Sequence, residues 1–314
     1  MANGKAIRVQ THLVWVPEGG VAYLSDAPAG FVIREIPPDA LHDPSLGDVE
    51  VLVSPPMRTA MVQPLWGRMR SLRLVQTLSA GVESLLVDLP PGVILCSARG
   101  AHDGAVAEWV VGAILAAQKR FPEAWRNQQA ERWERRRVRM LQDSTVLLLG
   151  YGSIARAVER RLEPFGPRIL RVARRARPGV HTWAELAELL SEADVVVVLL
   201  PVTPETRGAL DAGFLSLLRE GTLLVNAARG SLIDTGALLA ALEEGRVRAV
   251  LDVTEPEPLP PGHPLWRAPS VMITPHVAGL SEQWELGAYR LVRDQLERWG
   301  AGEPLQNVVT EAGY

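Results

Sequence analysis

Along the chain, short runs of apolar residues alternate with longer stretches in which apolar positions recur every three or four residues. That is the pattern of parallel strands covered by crossover helices. In the middle of the chain TVLLLG (145–150), RILRVA (168–173), VVVVLL (195–200), TLLVNA (222–227), AVLDV (249–253) and VMIT (271–274) predict six strands. Their continuous apolar character suits a sheet buried on both faces. Helical spacing fills the intervals over 154–163, 182–191, 211–218 and 235–244, and Thr182 ahead of Glu185 has the spacing of a capping box. These elements predict one doubly wound α/β domain. The first hundred residues carry the same grammar less regularly, with VEVLVS (49–54), RLVQTLS (73–79) and VILCSA separated by turns that contain Pro and Gly. They read as a smaller α/β domain. Further helices are expected over 105–119 and 284–299, and the tail PLQNVV that follows is expected to pack back on the first domain.

Length agrees with this division, since 314 residues at about 150 per domain make two. Cys96 is the single cysteine, so an intrachain disulfide, a Cys-rich zinc site and a CxxC redox pair are excluded. The first residues show no apolar leader, and the longest apolar run is far short of the roughly 20 residues that span a bilayer. A cytoplasmic protein without a membrane partner is expected. A formal net charge of -3 gives no global basic excess to hold nucleic acid, and the Arg-rich run ERWERRRVR (131–139) is read as a solvated face or a dimer arm. Lysine occurs only at Lys5 and Lys119, neither in a GxxxxGK[ST] phosphate loop, which removes P-loop ATP chemistry.

The sharpest local signal is Gly150-Tyr151-Gly152-Ser153-Ile154-Ala155, which follows a predicted strand and opens a predicted helix. This is the context that gives a GxGxxG/A match its meaning. Gly150 permits the tight turn and Gly152 lets backbone approach a pyrophosphate. Ser153 and Ile154 begin a helix whose unpaired N–H groups favour anions, and Ala155 is the small residue where helix meets strand. About 20 residues on, where NAD-binding chains carry an acid for the ribose 2′-hydroxyl, the sequence reads Ala173-Arg174-Arg175. No carboxylate would repel a 2′-phosphate there, and Arg174 and Arg175 offer planar forks to bind one. NADP(H) is therefore the expected cofactor, with NAD as the alternative.

Candidate catalytic groups cluster at predicted strand ends, where open α/β sheets bind ligands. By residue type alone they stay open: Arg229 could be a surface ion pair, Glu255 and Glu257 both precede proline, and His263 shows that histidines also serve structure.

Several motifs in order, LSAGVE (78–83), VAEWVVGAILA (106–116), GYGSIA (150–155), LPVTPETRG (200–208), NAARGSLID (226–234), LDVTEPEPLP (251–260) and TPHVAG (274–279), resemble the D-isomer-specific 2-hydroxyacid dehydrogenases over nearly the whole chain. The resemblance implies two doubly wound parallel-sheet domains. A flavodoxin-like substrate domain would comprise residues 1–99 and 285–314, and a Rossmann nucleotide-binding domain residues 100–284, with no added regulatory domain and the active site in the cleft. It implies that Arg229 binds the substrate carboxylate and polarises the keto oxygen, that His276 is the general acid and base, and that Glu257 rather than Glu255 orients the imidazole and favours its protonated form. By the same resemblance the Ala80-Gly81-Val82 turn holds the substrate carboxylate, with Arg58 facing the same cleft, and Pro201, Thr206, Ala227, Asp252 and Gly279 line the cofactor. The sequence departs from the family at Ala155 for glycine, at Thr254 for a common aromatic, and at Ala173 for the ribose-binding acid. The function implied is hydride transfer between NADP(H) and a small 2-keto or D-2-hydroxy acid of glyoxylate or hydroxypyruvate type, in a homodimer. Two rivals are an NAD-using 3-phosphoglycerate dehydrogenase type and a dinucleotide-sensing, corepressor-like binding protein.

Overall fold

The computed structural model describes residues 11–56, 61–86 and 88–310. In chain order come β1 (His12–Val16), β2 (Phe31–Glu35), β3 (Val49–Ser54), β4 (Leu74–Thr77), α1 (Glu83–Leu86), β5 (Ile94–Cys96), α2 (Asp103–Gln118) and α3 (Phe121–Gln129). Then follow β6 (Thr145–Leu149), α4 (Ser153–Leu162), β7 (Arg168–Val172), α5 (Leu186–Glu192), β8 (Val195–Val198), α6 (Ala212–Ser216), β9 (Thr222–Asn226), α7 (Thr235–Glu243), β10 (Val247–Leu251), β11 (Val271–Ile273) and α8 (Trp284–Ala301). The chain divides into two compact units, Met1–His102 with Glu282–Tyr314, and Asp103–Ser281.

In the first unit five strands form a parallel sheet in the order β2-β1-β3-β4-β5, the flavodoxin-like order. The apolar positions of β3 are divided between two cores, Val49 and Leu52 facing one and Val51 and Val53 the other, with a register shift against β1 between Val49 and Val51. Helix α8 covers the second core with Ala288, Tyr289, Val292 and Leu296. The tail does return to this unit. Val308 bridges Cys96 in antiparallel fashion, and the Val309 amide donates to the Leu95 carbonyl at 2.8 Å. Strands β1 and β2 were not among the expected ones. HLVWV and FVIRE are short, and β2 is an edge strand whose Arg34 and Glu35 face solvent, so neither gives a long apolar run.

The second unit has a six-stranded parallel sheet in the order β11-β10-β9-β8-β6-β7. All six strands predicted from the apolar runs are present, and the four central ones, β6, β8, β9 and β10, are buried on both faces for the expected reason. Leu147, Leu149, Val196 and Val198 face a core shared with α5, α6 and α7, while Val146, Leu148, Val195 and Val197 face one shared with α2 and α4. A one-residue bridge of His181 to Val172 adds a rudimentary strand outside β7. Counting that bridge as the third strand, the order runs 3-2-1-4-5-6 with one strand more, the doubly wound dinucleotide-binding arrangement.

Candidate active site

Parallel strands all end on the same edge of their sheet. In the second unit that edge gathers the loops after β6 (Gly150), β7 (Ala173), β8 (Pro201), β9 (Ala227), β10 (Asp252) and β11 (His276). The strand order reverses between β6 and β8, and the glycine turn leaves β6 at that point, where a crevice for ligands forms. Gly150 has φ +99°, and a Cβ there would lie 2.6 Å from the Leu199 carbonyl oxygen, so the protein itself demands glycine. Gly152 differs: its Cβ would meet nothing within 4 Å. Glycine at 152 thus keeps space open beside the N-terminus of α4, whose N-cap supplies no side-chain hydrogen bond to the first turn. Ala155 is fully buried against the sheet.

Beyond β7, Arg174 and Arg175 are exposed. A third arginine of the same segment, Arg177, reaches back to the glycine turn and donates through Nη2 to the Tyr151 carbonyl at 2.5 Å. Its guanidinium also lies 5.3 Å from the centre of the Tyr151 ring. The Tyr151 hydroxyl donates to Glu159, which in turn accepts from Arg171 Nε at 2.9 Å. Burial pushes the Glu159 carboxyl up, but the bonds from Arg171 and Tyr151 outweigh it and hold the group below its ordinary value. Sequence reasoning had not singled out Arg177, because its partner is a backbone carbonyl 26 residues away.

The loops after β9, β10 and β11 bring three charged side chains to this edge. Asn226, fully buried at the end of β9, accepts from the Ala228 amide at 3.0 Å and donates to the Arg229 carbonyl at 2.8 Å, fixing the turn that carries Arg229. Next in the chain, Gly230 lies against Thr254 so closely that a Cβ would fall 2.0 Å from the Thr254 carbonyl. That contact sets the Arg229 turn against the loop of Glu257, and the Thr235 hydroxyl ties the same loop at the Glu255 carbonyl, 2.8 Å away.

His276 adopts φ +54°, a left-handed conformation that costs a residue with a β-carbon about 1–2 kcal/mol. It is held there by Asp252, only 2% exposed, whose backbone carbonyl accepts the His276 amide at 2.8 Å. The Asp252 carboxylate accepts the Val277 and Ala278 amides at 2.9 and 2.8 Å and the Thr274 hydroxyl at 2.5 Å. Asp252, expected to line the cofactor, therefore also clamps the histidine loop. The His276 ring meets Glu257 across 2.6 Å, Nδ1 to Oε1. With Nδ1 engaged by a carboxylate, Nε2 on the far side of the ring is the nitrogen left to exchange a proton. Burial pushes the Glu257 carboxyl up, yet the bond and charge of His276, the Thr254 amide and the charge of Arg229 together hold it below its ordinary value. The partner of His276 is Glu257, as the motif spacing selected, and not Glu255.

The remaining expected residues are placed as follows. Pro201 and Thr206 belong to one loop after β8, in which the Thr206 hydroxyl donates to the Pro201 carbonyl at 2.7 Å. Gly279 lies just beyond the clamped histidine loop. In the first unit, Ala80, Gly81 and Val82 form the turn between β4 and α1, while Arg58 lies outside the described residues. Among the described residues no group of three or more His, Cys, Asp or Glu could hold a metal ion, and no helix is long and apolar enough to cross a membrane.

The sequence model of the D-isomer specific 2-hydroxyacid dehydrogenase NAD-binding domain matches residues 111–278, the glycine turn and all three charged loops included. The chain belongs to this family. Among solved structures, a family member from Xanthobacter autotrophicus Py2 in complex with NADPH and MES is 31% identical, with a TM-score of 0.84, covering 97% of this chain and 100% of that one. An NADPH-dependent glyoxylate/hydroxypyruvate reductase from Sinorhizobium meliloti, in complex with NADP and sulfate, is 27% identical with a TM-score of 0.85, covering 96% and 99%. A D-3-phosphoglycerate dehydrogenase from Methanocaldococcus jannaschii is 31% identical over 264 residues, 80% of this chain, and the match spans half the length of that relative.

Proposed function

We propose that the protein reduces a small 2-keto acid to the D-2-hydroxy acid with NADPH. The observation that carries this reading is the His276–Glu257 pair, 2.6 Å apart, on the same sheet edge as Arg229 and the Gly150–Gly152 turn. The cofactor fits the residues present. The space beside Gly152 and the uncapped first turn of α4 would hold a pyrophosphate, and Arg174 and Arg175, with no carboxylate at the end of β7, would hold a 2′-phosphate. Bound there, it supplies a hydride to C2 of the keto acid. Arg229 binds the substrate carboxylate and draws charge toward the keto oxygen through charge-assisted hydrogen bonds. His276 gives that oxygen a proton from Nε2, and Glu257 holds the ring through Nδ1 while the imidazole is charged. Taken by itself, the Ala80-Gly81-Val82 turn of the first unit offers backbone amides suited to a carboxylate.

A second reading rests on the phosphoglycerate dehydrogenase relative, and one experiment separates the two. Initial rates would be measured for glyoxylate, hydroxypyruvate and 3-phosphohydroxypyruvate with NADPH and with NADH. Higher kcat/KM for an unphosphorylated acid with NADPH is expected. Preference for the phosphorylated acid with NADH supports the rival, and nucleotide binding with no turnover supports a sensor.

The same reading makes the protein a homodimer. Helix α3 and the exposed segment 131–140 carry Trp125, 63% exposed, and Trp133, 96% exposed. Large aromatic side chains of this kind are enriched in interfaces. Sedimentation at micromolar concentration should give the mass of two chains, and a monomer there rejects the dimer.

A further inference from the structure

The ends of β3, β4 and β5 place three hydroxyls side by side. Leu52, Val75 and Leu95 are paired across these strands and face one core. Two residues on, the period-two alternation puts Ser54, Thr77 and Ser97 on the same face. All three are at most 1% exposed. Among the described residues Ser54 Oγ and Ser97 Oγ have no hydrogen-bond partner. Thr77 differs: its hydroxyl donates to the Ser79 carbonyl at 2.5 Å, and the Ala98 amide donates to that carbonyl at 2.9 Å. Ser79 continues the chain of contacts, its hydroxyl donating to the Gly81 carbonyl at 2.8 Å.

In a trans peptide the carbonyl and the following N–H point in opposite directions. Holding the Ser79 carbonyl toward the buried Thr77 therefore turns the Ala80 N–H the other way, away from the core. Holding the Gly81 carbonyl toward Ser79 likewise turns the Val82 N–H away from the Ser79 hydroxyl. Among the described residues neither amide donates a hydrogen bond. Successive backbone N–H groups turned to one side form an anion-binding concavity.

We infer that Thr77, acting through the Ser79 carbonyl, and Ser79, acting through the Gly81 carbonyl, are positioning residues that aim the amides of Ala80 and Val82 at the carboxylate of the substrate. This rests on the proposed 2-keto acid reductase reading and adds two residues to it. Neither touches the substrate. Their effect is on carboxylate binding and not on the nucleotide or on proton transfer.

Thr77→Val keeps the branched shape and removes the hydroxyl. Its KM for glyoxylate, and the inhibition constant of the unreactive 2-keto carboxylate analogue oxamate, should rise about tenfold, the loss of one well-placed hydrogen bond in the bound state. The KM for NADPH should stay as in the wild type and kcat should change by less than about threefold. Thr77→Ser should restore the wild-type KM, Ser79→Ala should reproduce the defect, and Ser97→Ala, which removes a neighbouring hydroxyl that holds nothing, should leave KM unchanged. A Thr77→Val enzyme with wild-type KM and oxamate inhibition overturns the inference. So does failure of Thr77→Ser to rescue, or an equal loss for glyoxylate, NADPH and thermal stability, which marks a purely structural role. Wild-type enzyme that reduces no 2-keto acid overturns the functional reading itself, an outcome distinct from active wild type with an indifferent Thr77→Val.

Discussion

At the scale of single residues, the proposed chemistry rests on the His276–Glu257 pair. In the proposed reaction charge builds on the keto oxygen as hydride arrives, and His276 is held at the Glu257 carboxylate on this sheet edge. His276→Ala should lower kcat by about 10²- to 10⁴-fold, the usual contribution of a general acid, and leave the NADPH dissociation constant unchanged in a fluorescence titration. Glu257 supplies a test that needs no turnover. Two opposing influences act on its carboxyl, burial upward and the contacts with His276, Thr254 and Arg229 downward, and the second wins. A group held below its ordinary value adds stability at and above the ordinary carboxylate range and loses it as pH falls through the folded value. A carbon NMR titration should therefore find Glu257 titrating below an ordinary glutamate. In His276→Ala, with burial retained and its main opposing contact removed, the midpoint should move upward. A midpoint that stays in place or falls contradicts the pairing.

At the scale of elements, the loops that carry the site are fixed by contacts between neighbouring strand ends. Gly230 against Thr254 is the tightest, since the obstacle to a side chain there is backbone and cannot rotate away. Gly230→Ala should separate the Arg229 turn from the Glu257 loop and lower kcat/KM for the keto acid by at least about tenfold, as misplacement of a catalytic group does. Steady-state kinetics alongside a circular dichroism spectrum of native shape would check this. Helix α7 follows directly, and Asp234 caps it by accepting the Ala237 amide at 2.9 Å. Asp234→Ala removes that acceptor and should cost about 1 kcal/mol, read as a lower urea midpoint at unchanged slope. An unchanged midpoint would show the cap to be dispensable.

At the scale of the whole molecule, the first unit is closed by its own C-terminal tail, and Cys96 reports on that closure. The thiol is fully buried on β5, beside the Val308 bridge. Burial pushes it up to about 12, only partly opposed by a hydrogen bond with Gln295. Because the thiolate is the reactive form, Cys96 should be inert to a disulfide reagent in the native protein at neutral pH and react as the unit opens. Parallel stopped-flow measurements of thiol reaction and of unfolding in denaturant should give matching rates. Fast reaction of the native protein would show that the tail does not seal β5.

What the sequence determined by itself was whatever depends on near neighbours in the chain. The second unit's strands were legible because a parallel strand buried on both faces must be apolar throughout, and the glycine turn was legible because Gly150 sits between a strand and a helix. Motif order brought out Arg229, Glu257 and His276. Edge strand β2 was not legible, since a half-exposed strand with Arg34 and Glu35 resembles a loop. The tertiary structure alone decided the rest. It closed the 2.6 Å contact between Glu257 and the imidazole, and made Asp252 a clamp by laying amides 25 and 26 residues further along the chain against its carboxylate. It also set Thr77 beneath Ser79 while Ser54 and Ser97 of the same row hold nothing. Hydrogen bonds depend on direction as well as proximity, and direction is set by strand register and by how each loop leaves its strand. Those are properties of the packed sheet, which residue types in a row do not carry.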